Sequence, residues 1–255
     1  YNEITMSIET ERDLPWRELG DRPVFDSGDR ANFYFHVERE YGLRPTKALA
    51  DDLMLVAAHG RRRNPIREYL EGLKWDGRKR VETCLPGVQT TEYSRMVARK
   101  IFTAAVARMF EPGVKWDHML VIYGPEGLGK SFWIEKISRG FSAPLGRIND
   151  KDTLLTLQRS WIVTADESHS LKKADFDAQK EFLTRTHDVF RAPYDRETLS
   201  HPRHCVIWGT TNDEVFLRNQ EGNRRFLIVK SEDRVDFELL TDEYVDQVWA
   251  EAVAY

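Results

Sequence analysis

Residues 118–137 read HMLVIYGPEGLGKSFWIEKI, and this stretch decides the fold. A short apolar run ends at Gly124, four residues intervene, and Gly129, Lys130 and Ser131 open the helical run SFWIEKI. Strand, glycine-rich loop and helix in that order are the context of a P-loop. The residue types suit the chemistry. Glycines such as Gly124, Gly127 and Gly129 let backbone N–H groups turn inward around a β-phosphate, Lys130 meets the β/γ oxygens, and Ser131 offers a hydroxyl to Mg²⁺ at the helix N-terminus. A glycine-rich turn that holds no nucleotide is the alternative, and the flanking strand and helix argue against it.

Downstream, WIVTADE (161–167) is an apolar strand ending in two acids, where a Walker B carboxylate belongs. Asp166 is expected in the Mg²⁺ shell and Glu167 beside the attacking water as its base. The pair favours hydrolysis over transfer to a small-molecule acceptor. HCVIWGTTN (204–212) ends in Thr210, Thr211 and Asn212. An amide there can reach the γ-phosphate or its water from the neighbouring strand, the role called sensor 1 in AAA+ ATPases, although asparagine also serves turns. EGNRRFLIV then places Arg224 and Arg225 before a last strand. They read as an arginine finger that stabilises transferred-phosphate charge, acting in trans if the protein is an oligomer, or as a structural pair with surface acids.

The runs HMLVIY, WIVTAD, HCVIWG and FLIV alternate with the helical stretches KSFWIEKIS and KADFDAQKEFLTR. Short Val/Ile-rich strands between helices predict an α/β layer architecture with a largely parallel sheet. Residues 93–110 show two apolar columns, Val97, Ile101, Ala105, Met109 and Ala98, Phe102, Val106, Phe110, so a well-buried helix is expected. We divide the chain into an N-terminal helical accessory or oligomerisation region (1–92), a P-loop ATPase core (93–230) and a C-terminal amphipathic helix (231–255) carrying Phe237, Leu240, Tyr244, Val248 and Ala252. In the first region Phe33, Val37 and Tyr41, and then Leu49, Leu53 and Val56, recur at helical spacing as in packing helices. NPIREYLEGL begins a third helix, with Ile66, Tyr69, Leu70 and Leu73 expected inward. From Gly60 to Arg80 eight basic residues face three acids, either a solvated surface or a phosphate-contacting patch.

Composition narrows the classes. No apolar stretch approaches the roughly 20 residues of a membrane span, and no secretory signal opens the chain. Cys84 and Cys205 lie far apart without a partner motif, which fits a reducing cytoplasm. Thirty-eight basic against 42 acidic residues give a net charge of -4, so contact with nucleic acid must be local.

Taken together, NPIREYLEGLKWDGRKRVETCLP (64–86), GPEGLGKSFW, WIVTADE, RAPYDRETLSHPR (191–203), GTTN and GNRRF resemble the virulence-associated protein E family, phage and mobile-element ATPases similar to superfamily 3 helicases. The family usually shows Glu-Leu or Glu-Glu near the second acid site, whereas this chain reads Ala165, Asp166, Glu167 and keeps both carboxylates. The resemblance implies an AAA+ core of the helicase type, ATP with Mg²⁺, a homo-oligomeric ring expected to be hexameric, and replication of phage or mobile DNA. The family often carries a primase-like or other region upstream, so the chain is expected to be a piece of a longer one.

Superfamily 3 helicases hold a channel hairpin where this chain reads THDVFRAPYDRETLSHPRH (186–204). Arg191, Arg196, Arg203, His201 and His204 are candidate donors to single-stranded DNA phosphates, and Phe190 and Tyr194 candidate stacking faces. Alternatively, Arg191 and Arg196 pair with Asp188, Asp195 or Glu197, or line a neighbouring subunit's nucleotide site. The expectation is an ATP-hydrolysing motor that binds DNA and unwinds or translocates it. Its rivals are an AAA+ ATPase that remodels a protein partner and a nucleotide-gated DNA-binding initiator that does not unwind.

Overall fold

The computed structural model describes residues 1–18, 23–148, 150–166, 176–191, 197–212 and 223–255. The chain divides into two compact units, Tyr1–Pro65 and Ile66–Tyr255. The division falls earlier than the sequence suggests: residues 66–92 and 231–255 fold with the core rather than apart from it.

The first unit holds helices α1 (Ser27–Tyr41) and α2 (Lys47–His59). Asp26 and Asp29 form a capping box at the start of α1, and Gly42, left-handed at φ 65°, stops it. The Thr46 side chain accepts from the Leu49 amide to start α2. The expected packing face of α2 is not buried: Leu49, Leu53 and Val56 are 51%, 58% and 69% exposed. With Phe33, Val37 and Leu43 they line an open groove of about 1530 Å³. Helical spacing gathers apolar groups on one face but does not supply what covers it, and in this unit Ala50 is the buried residue of α2.

The second unit opens with α3 (Pro65–Gly72), which buries Ile66 and Leu70. α4 (Glu92–Phe110) follows, started by a Thr91–Ser94 capping box. Then come β1 (Met119–Tyr123), α5 (Lys130–Ile137), β2 (Ser142–Pro144), α6 (Lys151–Gln158), β3 (Ile162–Asp166), α7 (Phe176–Thr184), β4 (His187–Phe190), β5 (Leu199–Pro202), β6 (Val206–Thr211), β7 (Phe226–Lys230) and α8 (Asp242–Val253). Five strands form one sheet in the order β2-β3-β6-β1-β7, and every pair in it is parallel. β4 and β5 stand apart as an antiparallel hairpin.

Side chains alternate across each strand, and the two faces of the sheet divide accordingly. Met119, Val121, Val163, Ala165 and Ile207 join Leu157 of α6 and Phe182 and Leu183 of α7 in one buried cluster. On the other face Trp208 stacks with Trp133 of α5 at 5.7 Å and meets Phe102 of α4 at 5.6 Å. Trp249 of α8 closes the group, 4.8 Å from Phe102 and 4.1 Å from Trp161. The buried indoles keep their polar handles satisfied where they meet backbone: Trp249 Nε1 donates to Ile137 O at 2.8 Å and Trp161 Nε1 to Ala105 O at 3.0 Å.

α8 also fastens residues 66–92. Tyr69 Oη donates to Asp246 at 2.6 Å, the Asp76 amide to Gln247 Oε1 at 2.8 Å, and the Val81 amide to the fully buried carboxylate of Glu251 at 2.9 Å. Within the basic run, Arg67 pairs with Glu71 and Arg80 with Asp76, which uses part of that charge locally. The C-terminal helix is shorter than its apolar spacing suggests. It starts after Thr241, whose hydroxyl accepts from the Tyr244 amide, so Phe237 lies before it.

Candidate functional site

Parallel strands present their carboxyl ends together, and crevices form there. β1 ends at Tyr123 and enters the glycine loop. Gly124 N–H donates to Thr211 O at 3.0 Å, which ties the loop to the end of β6. A Cβ on Gly124 would stand 2.3 Å from Ser231 O, so no side chain fits there. Gly127 and Gly129 hold φ of 79° and 87°, the left-handed region that glycine enters without strain. α5 begins at Lys130. Its ammonium is buried and donates to Gly124 O at 2.7 Å and Pro125 O at 2.5 Å. The loop thus closes around the amine, and a phosphate entering it offers that amine charged oxygens in exchange for carbonyls.

β6 separates β1 from β3, so Asp166 stands roughly 10 Å from the P-loop strand at the usual 4.8 Å strand spacing. Asp166 is the register partner of Thr210, and Thr210 of Ile122. Ser131 Oγ lies 3.4 Å from Thr210 Oγ1. The serine and threonine hydroxyls are oxygen donors of the kind that can complete the shell of a hard cation already held by phosphates, and the backbone of Asp166 ends the strand beside them, its side chain lying outside what the structure describes. Asn212 follows β6, exposed, and its amide donates to Glu126 Oε1 at 3.0 Å across the loop mouth. Thr210 lies at the end of the run that the sequence already marks, whereas Glu126 is one of the four residues between Gly124 and Gly129 whose type the motif does not specify. Glu167 lies outside the described residues.

Arg224 and Arg225 are not at this edge. They precede Phe226, which pairs with Met119 at the opposite, amino end of β1. Five residues of strand, on the order of 16 Å, separate them from the loop. Arg224 is exposed and Arg225 half-buried. Their charges reach His118, whose pKa burial lowers first and Lys100, Arg225 and Arg224 lower further, against Asp117.

An antiparallel hairpin stands at the expected place as β4 and β5, with Asp188 opposite His201 and Phe190 opposite Leu199. Three of the groups assigned to it are corrected. Arg203 is 0% exposed: it holds Asp188 through Nε and Nη2 at 2.9 and 2.6 Å, donates Nη1 to Phe182 O at 2.7 Å, and lies over the Phe182 ring. With its donors directed at these partners and no surface on solvent, it cannot contact a strand of DNA. Phe190 is buried as well and stacks on His201 at 4.2 Å. His204 is buried, its pKa pulled down to about 4 by burial despite a hydrogen bond to the Gln158 backbone. Arg191 is exposed, and Tyr194 and Arg196 lie outside the described residues. Among the described residues no helix is long and apolar enough to cross a membrane.

Comparison with curated proteins finds no match. Among solved structures the chain is similar to the apo C-terminal region of NrS-1, with a TM-score of 0.48 and 13% identity over 88% of this chain and 58% of that one. The A form of the same region aligns with a TM-score of 0.45 and 14% identity, covering 72% of this chain and 45% of the other. The chain thus spans about half the length of these structures. A family model for the virulence-associated protein E-like domain matches residues 70–255, well over half of the sequence. The match begins within α3 and takes in α4, every strand of the sheet and α8, and on it the chain belongs to the virulence-associated protein E-like family.

Proposed function

We propose that this chain is a Mg²⁺-dependent ATPase motor, a P-loop protein of the AAA+, superfamily 3 helicase-like type, acting on single-stranded DNA as a homo-oligomeric, hexameric ring in phage or mobile-element replication. One observation carries the reading: Lys130, Ser131, Asp166 and Asn212 share one edge of a parallel sheet, and Arg224 and Arg225 occupy the opposite edge. The strand between β1 and β3 supports it further, since a polar group at its end stands between the phosphate loop and the acid, where a sensor works.

In this reading Lys130 exchanges the Gly124 and Pro125 carbonyls for β- and γ-phosphate oxygens, and its charge offsets theirs as the transition state forms. Ser131 and Asp166 would hold Mg²⁺, which when bound neutralises charge on the phosphates. Glu167 takes a proton from water as the water oxygen bonds to the γ-phosphorus. The bond from that phosphorus to the β–γ bridging oxygen breaks, leaving ADP and phosphate, with Asn212 orienting the water. Arg224 or Arg225, at the far end of the sheet from its own loop, acts on a neighbouring copy's nucleotide, an effect on the order of 10³–10⁵ in rate where such fingers operate. Arg191, Tyr194 and Arg196 at the hairpin are the proposed DNA contacts.

A second reading has a specific observation behind it. With Arg203 and Phe190 buried, the hairpin exposes Val189 at 63% and Leu199 at 46%, groups that suit a protein partner better than phosphates. Steady-state ATP hydrolysis at micromolar protein, with and without single-stranded DNA and with Lys130→Ala as the blank, separates the two. Several-fold stimulation is expected of the motor. Hydrolysis indifferent to DNA favours remodelling of a protein, slow turnover with ATP-dependent assembly favours an initiator, and undiminished hydrolysis by Lys130→Ala removes the proposal altogether.

A further inference from the structure

Phe132 and Phe237 are 43% and 39% exposed beside the loop that carries Lys130, whereas Phe102, Trp133, Trp161, Trp208 and Trp249 around the same sheet are almost wholly buried. The exposed pair is nonetheless held in place. Its rings meet edge to face, 4.9 Å apart at 78°, and the Arg234 guanidinium lies over the Phe237 ring at 5.2 Å. The rim of Phe237 abuts the nucleotide loop itself: a Cβ on Gly129 would lie 2.8 Å from Phe237 Cζ. The backbone fixes this approach from two sides. Val235 N–H donates to Leu128 O at 2.9 Å, and Glu232 N–H donates to Gly87 O at 2.8 Å.

Singly exposed aromatic residues are ordinary. Here three planar groups converge next to one glycine loop, and Phe132 sits in the first turn of α5, the turn whose amides face bound phosphates. A base joined through ribose to an α-phosphate held there lies within one nucleotide's length of that ring. Aromatic faces and a guanidinium plane recognise the π-face of a base. We propose that Phe132, Arg234 and Phe237 form the seat of the nucleobase, adding affinity for a nucleoside triphosphate that a bare triphosphate does not receive. The inference deepens the ATPase reading and rests on it.

The test compares ATP with inorganic tripolyphosphate by titration calorimetry, with Mg²⁺ present, on the full 255-residue chain. Wild type is expected to bind ATP more tightly than tripolyphosphate. Phe237→Ala and Phe132→Ala are each expected to lose about tenfold in ATP affinity, within the range for base stacking, and to keep tripolyphosphate affinity. Phe237→Leu retains bulk beside Gly129 and removes the aromatic face, so the same selective loss in this variant excludes collapse of the loop as the cause. Unchanged ATP affinity in all three variants overturns the seat, and so does a loss shared equally by ATP and tripolyphosphate. Failure of the ATPase reading looks different: wild type binds neither compound, or Lys130→Ala binds both as wild type does.

Discussion

Arg203 and Asp188 form a two-pronged ion pair with neither side chain exposed, closing the base of the β4–β5 hairpin onto α7. Removing one partner leaves the other charge buried without compensation. Arg203→Ala is therefore expected to destabilise the second unit by about 3–5 kcal/mol, and Arg203→Lys to fail as well, since an ammonium cannot reproduce the fork. Urea unfolding followed by tryptophan fluorescence reads the change. An unshifted midpoint, with DNA affinity lost, would return Arg203 to the DNA surface.

His204 gives the stability a pH dependence. Its ordinary pKa near 6.5 falls to about 4 in the folded chain because burial disfavours the imidazolium, with Arg108 adding to the effect. Between those values the unfolded chain binds a proton that the folded chain refuses, so stability falls as pH is lowered from 6.5 toward 4. The loss is up to about 3 kcal/mol. His118, also lowered by burial, contributes with the same sign. A His204→Asn variant should show a flatter profile of unfolding midpoint against pH; an unaltered slope would assign the dependence elsewhere.

Glu167→Gln preserves shape and removes the proposed base. ATP binding is expected to persist, with hydrolysis reduced on the order of 10²–10⁴-fold. Single-turnover kinetics decide between the outcomes, since hydrolysis at the wild-type rate would reassign the base.

Arg224 and Arg225 stand at the opposite end of the sheet from their own loop, so their variants should be complemented by a partner. Neither an Arg→Ala chain nor a Lys130→Ala chain is expected to hydrolyse ATP alone, and mixed rings of the two should recover part of the activity. Mixed rings verified by mass that stay inactive would argue against action between subunits.

The glycine loop and its strand were legible because their chemistry is local: Gly124, Gly129 and Lys130 must follow one another closely to wrap a phosphate, and only a few backbone forms permit it. The parallel sheet followed from short apolar runs such as IVTAD and VIWGTT, the second of them buried at every position. Arg203 was not legible. Whether it meets DNA or an acid depends on the hairpin register that sets Asp188 opposite His201, a pairing no single residue announces. Phe237 misled for a related reason. It continues the apolar spacing of α8 backwards, but Thr241 caps the helix after it and frees the ring to meet Gly129. In α2 the spacing located the apolar face and said nothing of what, if anything, lies on it.

The bond from Val235 to Leu128 also has a bearing on time. A ribosome makes the phosphate loop first and the segment that seats it much later, on the order of ten seconds at ordinary rates of synthesis. Over that interval Gly124 has no Ser231 to lie against and Gly129 no Phe237. Nucleotide competence is thus expected to come with residues 231–240 rather than with the motif, and stalled nascent chains ending on either side of that segment should differ sharply in ATP binding.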